Sequence, residues 1–270
     1  MILRALAVLV LFLSCAVAAQ PTPSTYLAAE KEIARHEDRL TQVAEGLESW
    51  LAGRTDQAAF QQLIENAQAG PATYRRLDPK TAQAVGLYEK ELLRRIHAFA
   101  NVKAPDSDGQ RALFLRLGEL TESRTRALMS WRQKELRQLL ASDLTSEQHA
   151  YYRWEFSWTE IWDREAELTS ELEHAFLGED DSTSPQELLR ALLKLRLRAD
   201  STACPKTLLG LDALSKERLT VLTRTAEQLL RLKERRSSGA LTRVRRLSRQ
   251  LSELTQKFRN QRIVRLESLI

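Results

Sequence analysis

The sequence predicts an all-α protein: an elongated antiparallel helical bundle with coiled-coil hairpins and about eight helices. Of its 270 residues only nine are Gly and seven are Pro, and 29% are charged. A composition poor in Gly and Pro and rich in Leu, Ala, Glu and Arg favours long helices over strands. Apolar residues recur at spacings of three and four, and no segment alternates as a strand does. Helices of about thirty residues with short connections indicate antiparallel hairpins between sequence neighbours.

The first nineteen residues, MILRALAVLVLFLSCAVAA, have the pattern of a secretory signal peptide. Arg4 precedes a short apolar run, and small residues follow it. We expect cleavage after Ala19 and export to the periplasm or the medium; the alternatives are an uncleaved anchor and lipidation at Cys15. Cleavage leaves Cys204 as the single cysteine, which excludes an internal disulfide. The thiol is then either packed in the interior, free and reactive, or part of an intermolecular disulfide.

Two linker sequences divide the rest of the chain. The loop NVKAPDSDG and the acidic run GEDDSTS are rich in turn-forming and polar residues. They separate an N-terminal helical segment (20–103), a long helical hairpin (104–178) and a group of C-terminal helices with a basic face (185–270).

Start and stop signals set the predicted helix boundaries. Ser24 is the expected cap of the first helix. Thr145 followed by Gln148 has the spacing of a capping box, and Ser184 with Glu187 gives a second start of that kind. The eight predicted helices cover approximately residues 24–52, 55–69, 78–100, 109–141, 146–177, 184–199, 206–236 and 240–268.

The stretch WEFSWTEIWDRE places three tryptophans around a carboxylate. Trp154, Trp158 and Trp162 are four residues apart, and Glu165 falls near the middle of the same apolar helix face. Arg124 has the same position on the preceding helix, and the hairpin register places it level with Glu165. Because an unpaired buried carboxylate costs several kcal/mol or more, we predict a buried Arg124–Glu165 ion pair walled by the tryptophans. The alternative is a cage for a cationic ligand.

Positive charge is concentrated at the C-terminal end. Residues 231 to 270 contain twelve Arg or Lys and three Glu, although the whole chain has a net charge of +5. Arg245, Arg246, Arg249 and Arg259 follow one side of the last predicted helix. We predict an anion-binding face for an acidic envelope protein, an anionic lipid or a saccharide surface; the alternative is a solvated face of a bundle helix. Export argues against a nucleic-acid partner, and the oligomeric state is left open.

Catalytic and metal-binding signatures are absent from the sequence. It has no Gly-rich phosphate loop, no His-Glu-x-x-His and no nucleophile elbow. Glu171 and His174 form a single Glu-x-x-His, whereas di-iron bundles use two copies and further carboxylates, so we interpret the two as a surface pair. We expect no cofactor and no metal.

The pentapeptide LTSEQ, residues 144 to 148, resembles the Leu-Thr-x-x-Gln motif of small periplasmic stress chaperones, which are secreted, helical and basic. It covers five residues and occurs once, and we assign the chain to no family on this ground. The function we expect is an exported non-enzymatic scaffold or adaptor of the cell envelope that binds partner proteins through long helix faces. The alternative is a periplasmic ligand-sensing or chaperone-like domain, including the extracytoplasmic part of a sensor or channel assembly.

Overall fold

The computed structural model describes residues 20–69, 74–102, 106–178, 184–232 and 234–270, so the predicted signal peptide lies outside the described residues. Within these ranges the chain forms eight α-helices and one short 3-10 turn, and no strand, which confirms the all-α class. The helices are α1 (Pro23–Leu51), α2 (Gln57–Ala69), α3 (Pro79–Ala100), α4 (Ser107–Leu140), α5 (Ser146–Leu177), α6 (Pro185–Asp200), α7 (Leu209–Leu230) and α8 (Ser238–Glu267).

Local capping signals account for several helix starts. At the start of α5 the Gln148 N–H donates to the Thr145 hydroxyl at 3.2 Å, and the Thr145 N–H donates to the Gln148 side chain at 2.9 Å. The predicted capping box is therefore confirmed. Ser184 is the N-cap residue of α6, so the predicted start of this helix is confirmed, but its side chain makes no cap hydrogen bond, so the predicted capping box is wrong here. Thr22, not Ser24, caps α1, which consequently begins earlier than predicted.

The seventh helix is shorter than the predicted span of 206 to 236, because the chain turns back after Leu230. Arg236 has a φ of 58°, in the left-handed region. Its backbone N–H donates to the Phe176 carbonyl at 2.9 Å, and its guanidinium donates to the Gly178 carbonyl at 2.6 Å. The α7–α8 loop therefore satisfies carbonyl groups at the C-terminal end of α5.

Each helix packs against its neighbour in sequence, as the short loops predict. In addition α8 lies against α1 and also contacts α4 and α5, so the last helix closes the bundle onto the first. A large hydrophobic core draws side chains from α1 and from α3 through α8, and a smaller cluster joins α2 to α1, α3 and α4. All three predicted segments contribute to the large core, and their boundaries stay a prediction.

Among the described residues, no helix combines the length and hydrophobicity that a transmembrane span requires.

Candidate functional site

Charged side chains of α1, α4, α5 and α8 meet inside the bundle in a group that we call the ionic core: Glu30, Arg132, Glu155 and Arg262, with Tyr26. The Arg132 guanidinium donates to both carboxylate oxygens of Glu30, at 2.8 and 2.9 Å. Arg262 donates to Glu30 at 2.6 Å and to Glu155 at 2.9 Å. The Tyr26 hydroxyl accepts from Arg262 at 3.0 Å and donates to Glu155 at 2.8 Å. Two guanidinium groups therefore face two carboxylates.

The protonation states of the ionic core follow from its burial and its charges. Burial by itself would raise the pKa of Glu30, but Arg132 and Arg262 outweigh it and hold the pKa well below its usual range. Burial, together with the charges of Glu155 and Glu30, raises the pKa of Tyr26 well above its ordinary value. Glu30 is therefore ionised and Tyr26 protonated at neutral pH.

A second polar group, the Arg124 cluster, joins α1, α3, α4 and α8. Arg124 is 8% exposed. Its guanidinium donates to Glu89 at 2.9 Å, to Glu37 at 3.2 Å and to the Tyr74 hydroxyl at 3.4 Å. Glu37 also accepts from Arg259 at 3.4 Å. The cluster therefore connects the N-terminal helices to the basic C-terminal helix.

The predicted Arg124–Glu165 ion pair is wrong in its partners, although both residues are buried and paired. Glu165 accepts from Arg218 of α7, at 3.0 Å from Nε and 2.9 Å from the terminal nitrogen. The predicted pairing of levels between α4 and α5 is close to the observed one. It also places Arg126 level with Asp163, and these two residues lie near enough to interact electrostatically. The error is one of direction. Arg124 projects from α4 toward α1 and α3, whereas Glu165 projects from α5 toward α7.

The three tryptophans belong to the large hydrophobic core. Trp154, Trp158 and Trp162 are 2%, 0% and 4% exposed, and the centroids of their rings lie 6.0 to 6.3 Å apart. The Trp154 indole N–H donates to Asp212 of α7 at 3.2 Å. The other two indole N–H groups have no hydrogen-bond partner among the described residues. A cage for a cation needs ring faces open to the ligand, and this burial argues against that alternative.

The predicted anionic-partner face is divided between internal and exposed arginines. Arg259 is 6% exposed, pairs with Glu37 and also pairs with Asp38 of α1. Arg245 donates to both oxygens of Glu48, at 2.9 and 3.2 Å. These two cations therefore bind acidic groups of the same chain, and their inclusion in a face for external anions is wrong. The sequence did not reveal this because α1 and α8 lie at opposite ends of the chain.

Arg246 and Arg249 are exposed. Arg249 lies 3.6 Å from Glu253 one turn along the helix, an exposed contact of small energetic weight. Arg246 forms no ion pair with another described residue. Of the four arginines in the predicted basic face, Arg246 and Arg249 are therefore the two that remain exposed to solvent.

Glu171 and His174, the two residues of the single Glu-x-x-His, each contact a different charged side chain. His174 lies 3.2 Å from Glu119 of α4, and Glu171 lies 3.2 Å from Arg164. No group of three or more metal-binding side chains occurs among the described residues.

The sequence reasoning missed the ionic core, although a signal for it exists. Arg262 lies four residues after Phe258 and four before Leu266, so it occupies a core position of α8. Glu30 similarly lies three residues before Ile33 on α1. A charge in the middle of an apolar stripe is the same signal that drew attention to Glu165. Which charge pairs with which is decided by the packing of helices distant in sequence.

Comparison with known proteins gives no match to a family model, a curated protein or a solved structure. Function must therefore be inferred from the side chains of this chain. Both carboxylates of the ionic core accept hydrogen bonds from guanidinium groups of other helices. The chemistry of this arrangement is mutual charge neutralisation, which holds helices in a fixed register.

Proposed function

We propose that the protein is an exported, non-enzymatic helical-bundle scaffold or adaptor of the cell envelope, which binds partner proteins through the outer faces of its helices. The observation that carries the proposal is the ionic core. In other proteins buried charged groups often form ligand or catalytic sites, whereas in this chain they join four helices to one another.

The ionic core makes the relative positions of these helices costly to change. Arg262 connects α8 to α1 through Glu30 and to α5 through Glu155, and Arg132 connects α4 to α1. A slip of one residue moves a side chain by about 1.5 Å along its helix and rotates it by about 100°. A buried charge separated from its partner costs about 3 to 5 kcal/mol. A bundle fastened in this way presents its outer faces in a constant arrangement, which suits a scaffold.

The binding part of the proposal is tested by site-specific photo-crosslinking in intact cells that produce the protein. Arg249 is replaced by a photoreactive amino acid because its side chain is 56% exposed on α8. One exposed position on each other helix is tested in parallel, and adducts are identified by mass spectrometry. The proposal predicts one discrete partner protein. A broad set of unrelated proteins would indicate a chaperone, and the absence of protein adducts from every position would refute the adaptor function.

The export part rests on the pattern of residues 1 to 19 and has its own test. N-terminal sequencing of the protein from the envelope or medium fraction should begin at Gln20. Protein that stays in the cytoplasmic fraction and begins at Met1 would contradict export without bearing on the adaptor proposal.

A further inference from the structure

Glu173 of α5 is a buried carboxyl group of a different kind from those of the candidate site. It is 5% exposed, and its Oε2 atom has no hydrogen-bond partner among the described residues. Four other buried glutamates each form an ion pair with an arginine: Glu30, Glu89, Glu155 and Glu165. A buried carboxylate that lacks a counter-charge is costly, so the neutral form of Glu173 is favoured.

The Glu173 side chain lies where α5 meets α4 and α8. A Cβ atom at Gly118 of α4 would lie 3.1 Å from the carboxyl carbon of Glu173 and closer still to Oε2, so a glycine is needed to make room for the carboxyl group. From α8, the Ser248 hydroxyl forms a hydrogen bond with the same group. The carboxyl group is therefore enclosed at the contact between three helices.

The charged side chains around this contact do not compensate Glu173. On the three helices they are Arg111, Glu119 and Glu122 of α4, Glu171 and His174 of α5, and Arg245, Arg246 and Arg249 of α8. Arg246 is exposed, and each of the others forms an ion pair with a residue other than Glu173. Burial raises the pKa of Glu173 to about 8, the hydrogen bond from Ser248 opposes this shift, and no charged side chain of the described residues is among its causes.

The two halves of α8 are held to the bundle by different contacts. In the C-terminal half, Arg262 donates to Glu30 at 2.6 Å inside the ionic core. In the N-terminal half, Arg245 pairs with Glu48 of α1 at 2.9 Å, and these two side chains are 21% and 23% exposed. A partly exposed ion pair contributes less than a buried one. The remaining contacts of this half include three buried apolar side chains: Leu241, Val244 and Leu247.

We propose that Glu173 is a proton-dependent switch for α8. With a neutral carboxyl group, the N-terminal half of α8 packs against α4 and α5, which we call the closed form. Ionisation favours an open form, in which this half of α8 has moved away and water reaches the carboxylate. The helix that moves is α8, because α4 and α5 make the most extensive helix contact among the described residues. The switch goes beyond the proposed function, since it is a property of the fold and requires no partner.

The direction of the pH dependence follows from the two environments of the carboxyl group. Its pKa is about 8 in the closed form and about 4.3 when the group is exposed to water. Between these values the closed form keeps a proton that the open form loses. The ratio of open to closed form therefore rises by up to about tenfold per pH unit from about pH 4 to about pH 8, and is constant outside that range.

Hydrogen exchange of the full chain, followed by mass spectrometry at pH 5.5 and pH 7.5, tests the switch. After correction for the intrinsic exchange rate at each pH, the amides of residues 241–251 should lose protection by up to about a hundredfold. Those of residues 258–266, which the ionic core holds, should change by less than about threefold.

Glu173→Gln should abolish the pH-dependent loss in residues 241–251, because the amide does not ionise. Comparison of this variant with the wild type also removes the contribution of His174, which is present in both. Glu171→Gln is the matched control, since it removes a more exposed carboxylate of the same helix, and it should retain the wild-type pH dependence. Circular dichroism of each variant checks the fold.

Ser248→Ala is a second variant that leaves the carboxyl group in place. It removes the hydrogen bond that lowers the pKa of Glu173, so protection of residues 241–251 should continue to fall to a higher pH than in the wild type. Rapid-mixing exchange across the alkaline range measures this shift. Protection that is independent of pH, a loss that persists in Glu173→Gln, or an equal loss in both segments of α8 would overturn the proposal. The last result would indicate unfolding of the whole bundle.

Discussion

Replacement of Arg262 by Met tests whether the ionic core holds the bundle together. Arg262 is 2% exposed and donates to Glu30, Glu155 and the Tyr26 hydroxyl at 2.6 to 3.0 Å. Methionine keeps much of the aliphatic volume but removes the charge and the donors. Glu30 retains its two hydrogen bonds from Arg132, whereas Glu155 loses its guanidinium partner.

The expected loss of stability follows from the charge left behind. Removing one partner of a buried ion pair costs about 3 to 5 kcal/mol, because the other charge remains buried. A typical protein has a free energy of unfolding of about 5 to 15 kcal/mol, so the variant should be severely weakened. Glu155→Gln removes the carboxylate that Arg262→Met leaves without a guanidinium partner. The double variant should therefore be less destabilised than the sum of the single variants, by roughly 1 to 3 kcal/mol.

Urea unfolding followed by far-UV circular dichroism at pH 7 measures these differences, with the m-value compared across variants. Arg249→Met is the matched control, since it removes an exposed arginine of the same helix, and it should change stability by no more than about 0.5 kcal/mol. The reasoning is refuted if Arg262→Met costs less than about 1 kcal/mol or if the double variant is additive.

Three other predictions concern single side chains. Burial raises the pKa of Glu173 to about 8, and its unfolded pKa is about 4.3. Between these values the carboxyl is neutral in the folded protein and ionised in the unfolded chain. The free energy of unfolding, measured relative to Glu173→Gln, is therefore highest below about pH 4 and falls by about 5 kcal/mol as pH rises through 8. Urea unfolding at pH 5 and pH 9 checks this, and equal differences at the two pH values would contradict it. Thr145→Ala removes the cap of α5 and should cost about 1 kcal/mol; an unchanged melting temperature would show that the cap contributes nothing. Trp154→Phe loses a hydrogen bond to Asp212 and should cost about 1 kcal/mol more than Trp158→Phe, whose N–H has no partner among the described residues. Equal losses in thermal unfolding would argue against that bond.

The residues of the candidate site show where prediction from sequence stops. The periodicity placed Arg124 and Glu165 correctly in the interior, because the position of a residue on an amphipathic helix depends on a few neighbouring residues. The periodicity assigned these two residues the wrong ion-pair partners. The partners come from helices outside the α4–α5 hairpin, and the sequence does not say which helices lie beside it. The same reason explains Arg259, whose carboxylate partners lie on α1.

By itself, the sequence determined the helical class, the helix order, the capping box at Thr145 and the burial of the tryptophans. These features depend on contacts within a few turns of one helix or across a short loop. Only the tertiary structure decided that α8 closes against α1, that Arg262 joins Glu30 to Glu155, and that α6 leaves Leu193 and Leu197 uncovered. Amphipathic helices specify that a face is buried but leave open which helix covers it, and the ion pairs inside the bundle depend on that choice.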